Sequence, residues 1–281
     1  YKRANKSKNI EEVKKLLEGV PDEMKYYPPI VSLRNQYFIK DKSNGKEIAI
    51  FCGFTSSDWS PQVFRDKGVG GSEEAVVQLS KRFASKGYEV TVFCSTPKMQ
   101  EYKEDGVMWK PYMAWNYRDK YDITILWRQP KMLDFPINSD KIYLDVHDVL
   151  SPEEFTDARL LKVTKVLFKS KTQRDSYKNI PANKCIVIPH GLDLKTFEDK
   201  RKNIVRDKYK ILNTSSPDRG LLTCMNIVEK VYNELPDILR SKLKFEWRYG
   251  FRVWDYEFSD DQKMLDWKAK AVSQMRRLQS L

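Results

Sequence analysis

From Glu47 onward, short apolar runs alternate with stripes at helical spacing. Ile48-Ala49-Ile50-Phe51-Cys52 offers no polar side to water, which predicts a strand buried on both faces. After Gly71, the positions Val76, Leu79 and Phe83 fall on one face of a helix that carries Glu73 and Glu74 in its first turn and ends at Gly87. Glu89–Cys94 is the next strand, and residues 123–127, 141–146, 163–168 and 185–188 follow, separated by polar or helical segments. Strands alternating with helices predict a parallel sheet covered by helices on both faces, since a parallel pair needs a long crossover.

The order fits a Rossmann-like domain over residues 47–197. Ahead of it, residues 1–46 read as a helical lead-in or linker. Ile10, Val13, Leu16 and Leu17 make a short stripe ending near Gly19, then Val20-Pro21 and Tyr27-Pro28-Pro29 break the pattern and Asn44-Gly45 turns the chain. A charged tract at 198–210 reads as a linker. The unit at 211–281 opens on the strand that ends in Asn213-Thr214-Ser215, passes through Ser216-Pro217-Asp218-Arg219-Gly220, and carries a helix with Leu222, Met225, Val228 and Tyr232 on one face. A strand at 243–249 follows, and Asp260-Asp261 starts a last helix striped by Met264, Trp267, Ala271, Met275 and Leu278. A complete Rossmann-like half takes roughly 120–180 residues, so the second domain is expected to be incomplete and the chain a piece of something longer.

Charge adds one constraint: 51 Lys and Arg against 39 Asp and Glu give a net charge of +12. That suits a nucleotide, a membrane surface or nucleic acid and selects none of them. Cys52, Cys94, Cys185 and Cys224 lie far apart without C-x-x-C spacing, which argues against a zinc site or a disulfide framework and predicts buried, reduced thiols. No apolar run reaches the roughly 18 residues of a membrane span. The expected location is cytoplasmic, with room for peripheral contact with an anionic membrane.

Candidate chemistry concentrates at Gly68-Val69-Gly70-Gly71-Ser72. Glycines lack Cβ and tolerate positive φ, and such a loop ahead of a helix turns backbone N–H groups and the positive end of the helix dipole toward a phosphate or a sugar. A dinucleotide site is disfavoured. Residues 54–67 separate Gly53 from these glycines, and the second strand ends in Cys94-Ser95-Thr96 instead of an acid. His147, one of two histidines, sits beside Asp148 at a strand's carboxyl end, where open α/β sheets bind ligands.

These residues carry a resemblance. Asp58-Trp59-Ser60-Pro61, the run from Gly68 to Val76, and Gly87-Tyr88-Glu89-Val90-Thr91-Val92 resemble the N-terminal half of the group 1 glycosyltransferases, which have the GT-B fold. Leu144-Asp145-Val146-His147-Asp148-Val149 is similar to that family's His-Asp strand end, and Val187-Ile188-Pro189-His190-Gly191-Leu192-Asp193 with Phe197 is similar to its interdomain segment. Ser215-Ser216-Pro217-Asp218-Arg219-Gly220-Leu221 resembles the phosphate loop that opens its nucleotide-sugar domain. The matches fall in the family's order across residues 47–249.

The resemblance implies transfer of a sugar from a nucleotide-diphosphate donor to a glycan, lipid or protein acceptor in a cleft between two Rossmann-like domains. It implies retention of anomeric configuration, no essential metal and no cofactor. It further implies that Gly70, Gly71, Ser216 and Arg219 hold the donor diphosphate, Arg219 standing where the family has the Lys of a Lys-Gly pair. His147 would act in catalysis or touch the sugar, and Asp58, Trp59 and Asp148 would meet the acceptor. Trp59 is equally suited to packing, and His190 reads as a hinge residue. Asn213-Thr214-Ser215-Ser216 stands where the family has a second basic residue. No Glu is followed by another Glu eight positions later, so the family's Glu-x7-Glu pair is absent from this chain. The competing reading is a noncatalytic basic scaffold or a nucleic-acid-binding protein. Against a specific nucleic-acid partner, the aromatic residues do not interleave with a basic stripe.

Overall fold

A computed structural model describes residues 9–194, 198, 204–251, 255 and 258–279. The chain divides into two units, Tyr1–Leu192 and Asp193–Leu281. Phe197 and most of the first half of the expected linker at 198–210 lie outside the described residues.

The first unit is α/β. Its eight strands are β1 (Glu47–Phe51), β2 (Glu89–Cys94), β3 (Tyr102–Glu104), β4 (Val107–Pro111), β5 (Tyr121–Trp127), β6 (Ser139–Val146), β7 (Lys165–Phe168) and β8 (Cys185–Val187). They lie in the order β3-β4-β2-β1-β5-β6-β7-β8, and only the β3–β4 pair is antiparallel. Side chains alternate across a strand, and here both faces are apolar. Ile48, Ile50 and Cys52 join Val90, Val92, Cys94, Ile125 and Trp127 in one core, while Ala49 and Phe51 join Phe93, Leu126, Leu144, Val146 and Phe168 in the other. Each fully buried aliphatic side chain of this kind stabilises the fold by about 1.5–3 kcal/mol.

Four helices open the unit in sequence: α1 (Ile10–Glu18), α2 (Pro28–Tyr37), α3 (Pro61–Lys67) and α4 (Gly71–Ser85). α4 covers the first core with Val76, Val77 and Ser80, whereas Leu79 is 38% exposed. The expected stripe through Leu79 is therefore rotated, because Val77 and Ser80 face the sheet in its place. The second core is closed by Leu160 of α5 (Asp157–Lys162) and by Tyr177, two residues past α6 (Lys171–Asp175).

The lead-in is an ordered element. Asn9 caps α1 by accepting the N–H groups of Glu11 and Glu12 at 3.0 and 3.3 Å. Pro28 and Pro29 end one pattern and begin another, since proline suits the first turn of α2, whose N–H groups have no helical acceptor. Val13, Leu17, Ile30 and Leu33 form a small core of their own. Polar bonds tie this element to the sheet domain: the Lys40 N–H donates to Asp119 Oδ1 at 3.0 Å, Asn116 Nδ2 donates to the Asn35 carbonyl at 3.1 Å, and the Tyr26 hydroxyl donates to Glu101. A cavity of about 230 Å³ lies at this junction, lined in part by Tyr26, Arg34, Phe38, Glu101, Lys110 and Asp119.

In the second unit β9 (Lys210–Asn213) and β10 (Lys244–Trp247) pair in parallel around α7 (Leu221–Glu234), with α8 (Asp237–Arg240) between α7 and β10 and α9 (Gln262–Gln279) last. Leu221, Met225 and Ala271 are its buried centre. Cys52 and Cys94 are buried free thiols, while Cys185 and Cys224 are only partly covered. Among the described residues no helix is long and apolar enough to cross a membrane.

Glu101 accepts from Tyr26 and pairs with Lys25 and Lys110. Burial raises its pKa, but the Tyr26 bond and the two ammonium groups outweigh burial and hold the carboxyl below its ordinary 4.5. Tyr26→Phe is expected to lower the unfolding free energy at pH 7 by about 1 kcal/mol in urea denaturation. A depressed carboxylate contributes above its unfolded value, so the difference from wild type should fade as the pH falls below 4.5.

Candidate functional site

The strand order reverses at β1: the chain first adds β2 and β4 on one side, then returns to add β5 on the other. The carboxyl ends of β1 and β5 thus mark the switch point where an open α/β sheet leaves a crevice. Gly53 follows β1, Arg128 and Gln129 follow β5, His147 and Asp148 follow β6, Lys169 follows β7, and His190 lies three residues past β8. Gly53 has φ +70°, and a Cβ there would come within 2.8 Å of Gln129 Nε2, so no larger residue fits without moving Gln129.

Arg128 adopts the left-handed conformation, φ +61°, which costs a residue with a Cβ about 1–2 kcal/mol. Its N–H donates to the Asp145 carbonyl at 3.0 Å, and its guanidinium lies over the Trp127 ring, 4.7 Å from the centroid. The same guanidinium pairs with Asp148 and stands 3.8 Å from Glu73. Glu73 comes from the first turn of α4, where Ser72 Oγ donates to its Oε2 at 3.0 Å. Gly70 makes this possible, since a Cβ at position 70 would collide with that oxygen. The start of α4 carries no side-chain hydrogen-bond cap, and Gly70 and Gly71 are both exposed.

His147 is deeply placed, its side chain 2% exposed. Its Nε2 lies 3.0 Å from Asp145 Oδ2, and Lys169 Nζ lies 2.5 Å from the other carboxylate oxygen. Burial raises the Asp145 acid, but the His147 bond and the Lys169 charge prevail and hold it below the usual range. The His147 ring centroid is 5.8 Å from that of Trp127 and 5.2 Å from that of His190. His190 is pulled below its ordinary value by burial, with His147 and Lys169 adding to the effect.

Of the acceptor candidates, Asp148 joins this cluster through Arg128, and Asp58 is exposed one residue before Trp59. Trp59 is 3% exposed and packs against Trp109 and Trp127, so its ring is committed to the core and presents no face to a sugar. Sequence reasoning gave no role to Arg128, Glu73, Asp145 or Lys169. The signal for Arg128 was available, because the strand at 123–127 places it at the same edge as His147.

The second unit places Ser216 and Arg219 on the loop between β9 and α7. The loop is folded by its own bonds: the Ser215 N–H donates to Asn213 Oδ1 at 2.9 Å, the Trp247 indole donates to the Ser215 carbonyl at 3.0 Å, and the Arg219 N–H donates to the Ser216 carbonyl at 3.0 Å. Gly220, at φ +85°, precedes α7, which also starts without a side-chain cap. Arg219 is exposed and pairs with no acid among the described residues.

Replacing Arg128 by glycine or by alanine removes the same ion pairs, so comparing the two variants isolates the backbone term. Arg128→Gly is expected to exceed Arg128→Ala in unfolding free energy by about 1 kcal/mol. Equal stabilities in urea would mean that the left-handed conformer carries no strain. In comparisons with known proteins, no protein-family model matches the chain and no curated protein aligns with it significantly.

Proposed function

We propose that the chain belongs to a glycosyltransferase that moves a sugar from a nucleotide-sugar to an acceptor, with the first unit on the acceptor side and the second opening the donor side. The observation that carries this reading is the carboxyl edge of the first sheet. There an uncapped helix start at Gly70 and Gly71, the Arg128 guanidinium and the buried His147 imidazole form one contiguous cluster beside the switch point. A departing nucleoside diphosphate gains negative charge, and fixed N–H dipoles and guanidinium groups stabilise such charge with little reorganisation. Glu73 and Asp148 already neutralise Arg128, and we assign the diphosphate contact to Arg219, which pairs with no acid among the described residues and lies on a loop that ends in an uncapped helix start of its own.

Isothermal calorimetry of the full chain tests this. UDP, GDP or ADP, and the corresponding nucleotide-sugars, are expected to bind at one site, and Arg219→Ala is expected to weaken the bound diphosphate by about 1–3 kcal/mol. Failure of every such nucleotide to bind at millimolar concentration would overturn the reading. Unchanged affinity in the variant would remove Arg219 from the site and leave the rest standing.

A further inference from the structure

We infer that Asp145 and Lys169 are positioning residues that lock His147 in the tautomer protonated at Nε2, so that Nδ1 is a bare acceptor and the ligand group meeting it is a hydroxyl, not a phosphate or carboxylate oxygen. The sugar identity of that hydroxyl rests on the proposed function; the tautomer does not.

An ionised carboxylate only accepts, so the 3.0 Å contact between Asp145 Oδ2 and His147 Nε2 requires the proton on Nε2. Lys169, 2.5 Å from Oδ1, keeps the carboxylate ionised although the residue is almost wholly buried. Asp145 and Lys169 together are neutral, so a second proton on the ring would place an uncompensated charge in a side chain that is 2% exposed. In a neutral imidazole the bond made by one nitrogen decides the state of the other.

Nδ1 is buried and has no hydrogen-bond partner among the described residues. A buried acceptor left unpaired is costly, which is why such atoms are nearly always paired. The ring cannot easily turn away. Gln173 Nε2 donates to the carbonyls of Val146 and Asp148, at 3.2 and 3.1 Å, and so pins the backbone on both sides of His147. Other charged groups nearby are already engaged, Arg128 with Asp148 and Glu73. The cover on one side is the ring of His190, an exposed residue beyond the short strand β8. A bare lone pair repels an anionic oxygen and attracts a hydroxyl, which separates the place of the sugar from that of the diphosphate.

Long-range ¹H–¹⁵N correlation spectroscopy of the full chain at pH 7 reads both ring nitrogens directly, and with two histidines a His190→Gln variant completes the assignment. His147 is expected to show a protonated Nε2 and a bare Nδ1. A ring protonated at Nδ1, or averaging between tautomers, would overturn the inference. Asp145→Asn should lower the ratio of Nε2–H to Nδ1–H forms at least tenfold. Should that variant not fold, Lys169→Met removes the cation that keeps Asp145 ionised and should likewise lower the ratio of Nε2–H to Nδ1–H forms; an unchanged ratio would dismiss Lys169. For the ligand, His147→Asn retains a polar atom near the position of Nδ1, whereas His147→Gln retains the link to Asp145. Affinity for UDP-glucose or GDP-mannose, whichever the wild type binds, should fall at least fivefold further in His147→Gln, and the reverse order refutes the acceptor assignment. If the wild type binds neither sugar while the tautomer is as stated, the proposed function fails and the lock stands.

Discussion

Burial of the first sheet on both faces governs everything else in the unit. Ile48 and Ile50 point into one core and Ala49 and Phe51 into the other, so the central strand β1 has no wet side on which polar chemistry can sit. Polar groups are left with the ends of the strands, where the backbone turns and its carbonyls and N–H groups stop pairing along the ladder. Asp145 marks the limit of that rule. It is the last polar residue inside β6, and it is tolerated because the strand register brings Val146 opposite Phe168 and so carries Lys169 alongside.

The two units repeat one local device with opposite electrostatic settings. Each has a loop finishing in glycine and a helix that begins without a side-chain cap: Gly70 before α4 and Gly220 before α7. In the first, Glu73 folds back over the glycine and pairs with Arg128. In the second, Arg219 precedes the glycine and remains exposed. The two helix starts thus differ in the charge beside them, an acid already paired with a guanidinium in the first and an exposed guanidinium in the second.

The sheet was legible because strands buried on both faces appear as continuous apolar runs, as at residues 48–52. The β3–β4 hairpin was missed for the complementary reason. Val107–Pro111 buries every second residue, and its strongest signal is the Asp105-Gly106 turn, whose two residues are both left-handed. Leu79 was misplaced because Val76, Leu79 and Phe83 and the observed Val76, Val77 and Ser80 differ by a modest rotation, and a buried serine is invisible to a count of apolar positions. At the site, glycines and a histidine at a strand end are readable from composition and place. The pairs Glu73 with Arg128 and Asp145 with Lys169 join residues distant in sequence, and only strand order and register bring them together.

The outermost strands of the first sheet, β3 and β8, have three residues each, with Lys103 and Glu104 on one and Cys185 to Val187 on the other. An unpaired ladder this short gives a neighbouring molecule almost nothing to extend by strand addition. A sheet with so many apolar strands is thereby shielded from edge-to-edge association, and the shielding comes from where its strands stop, independent of the chain's large positive charge.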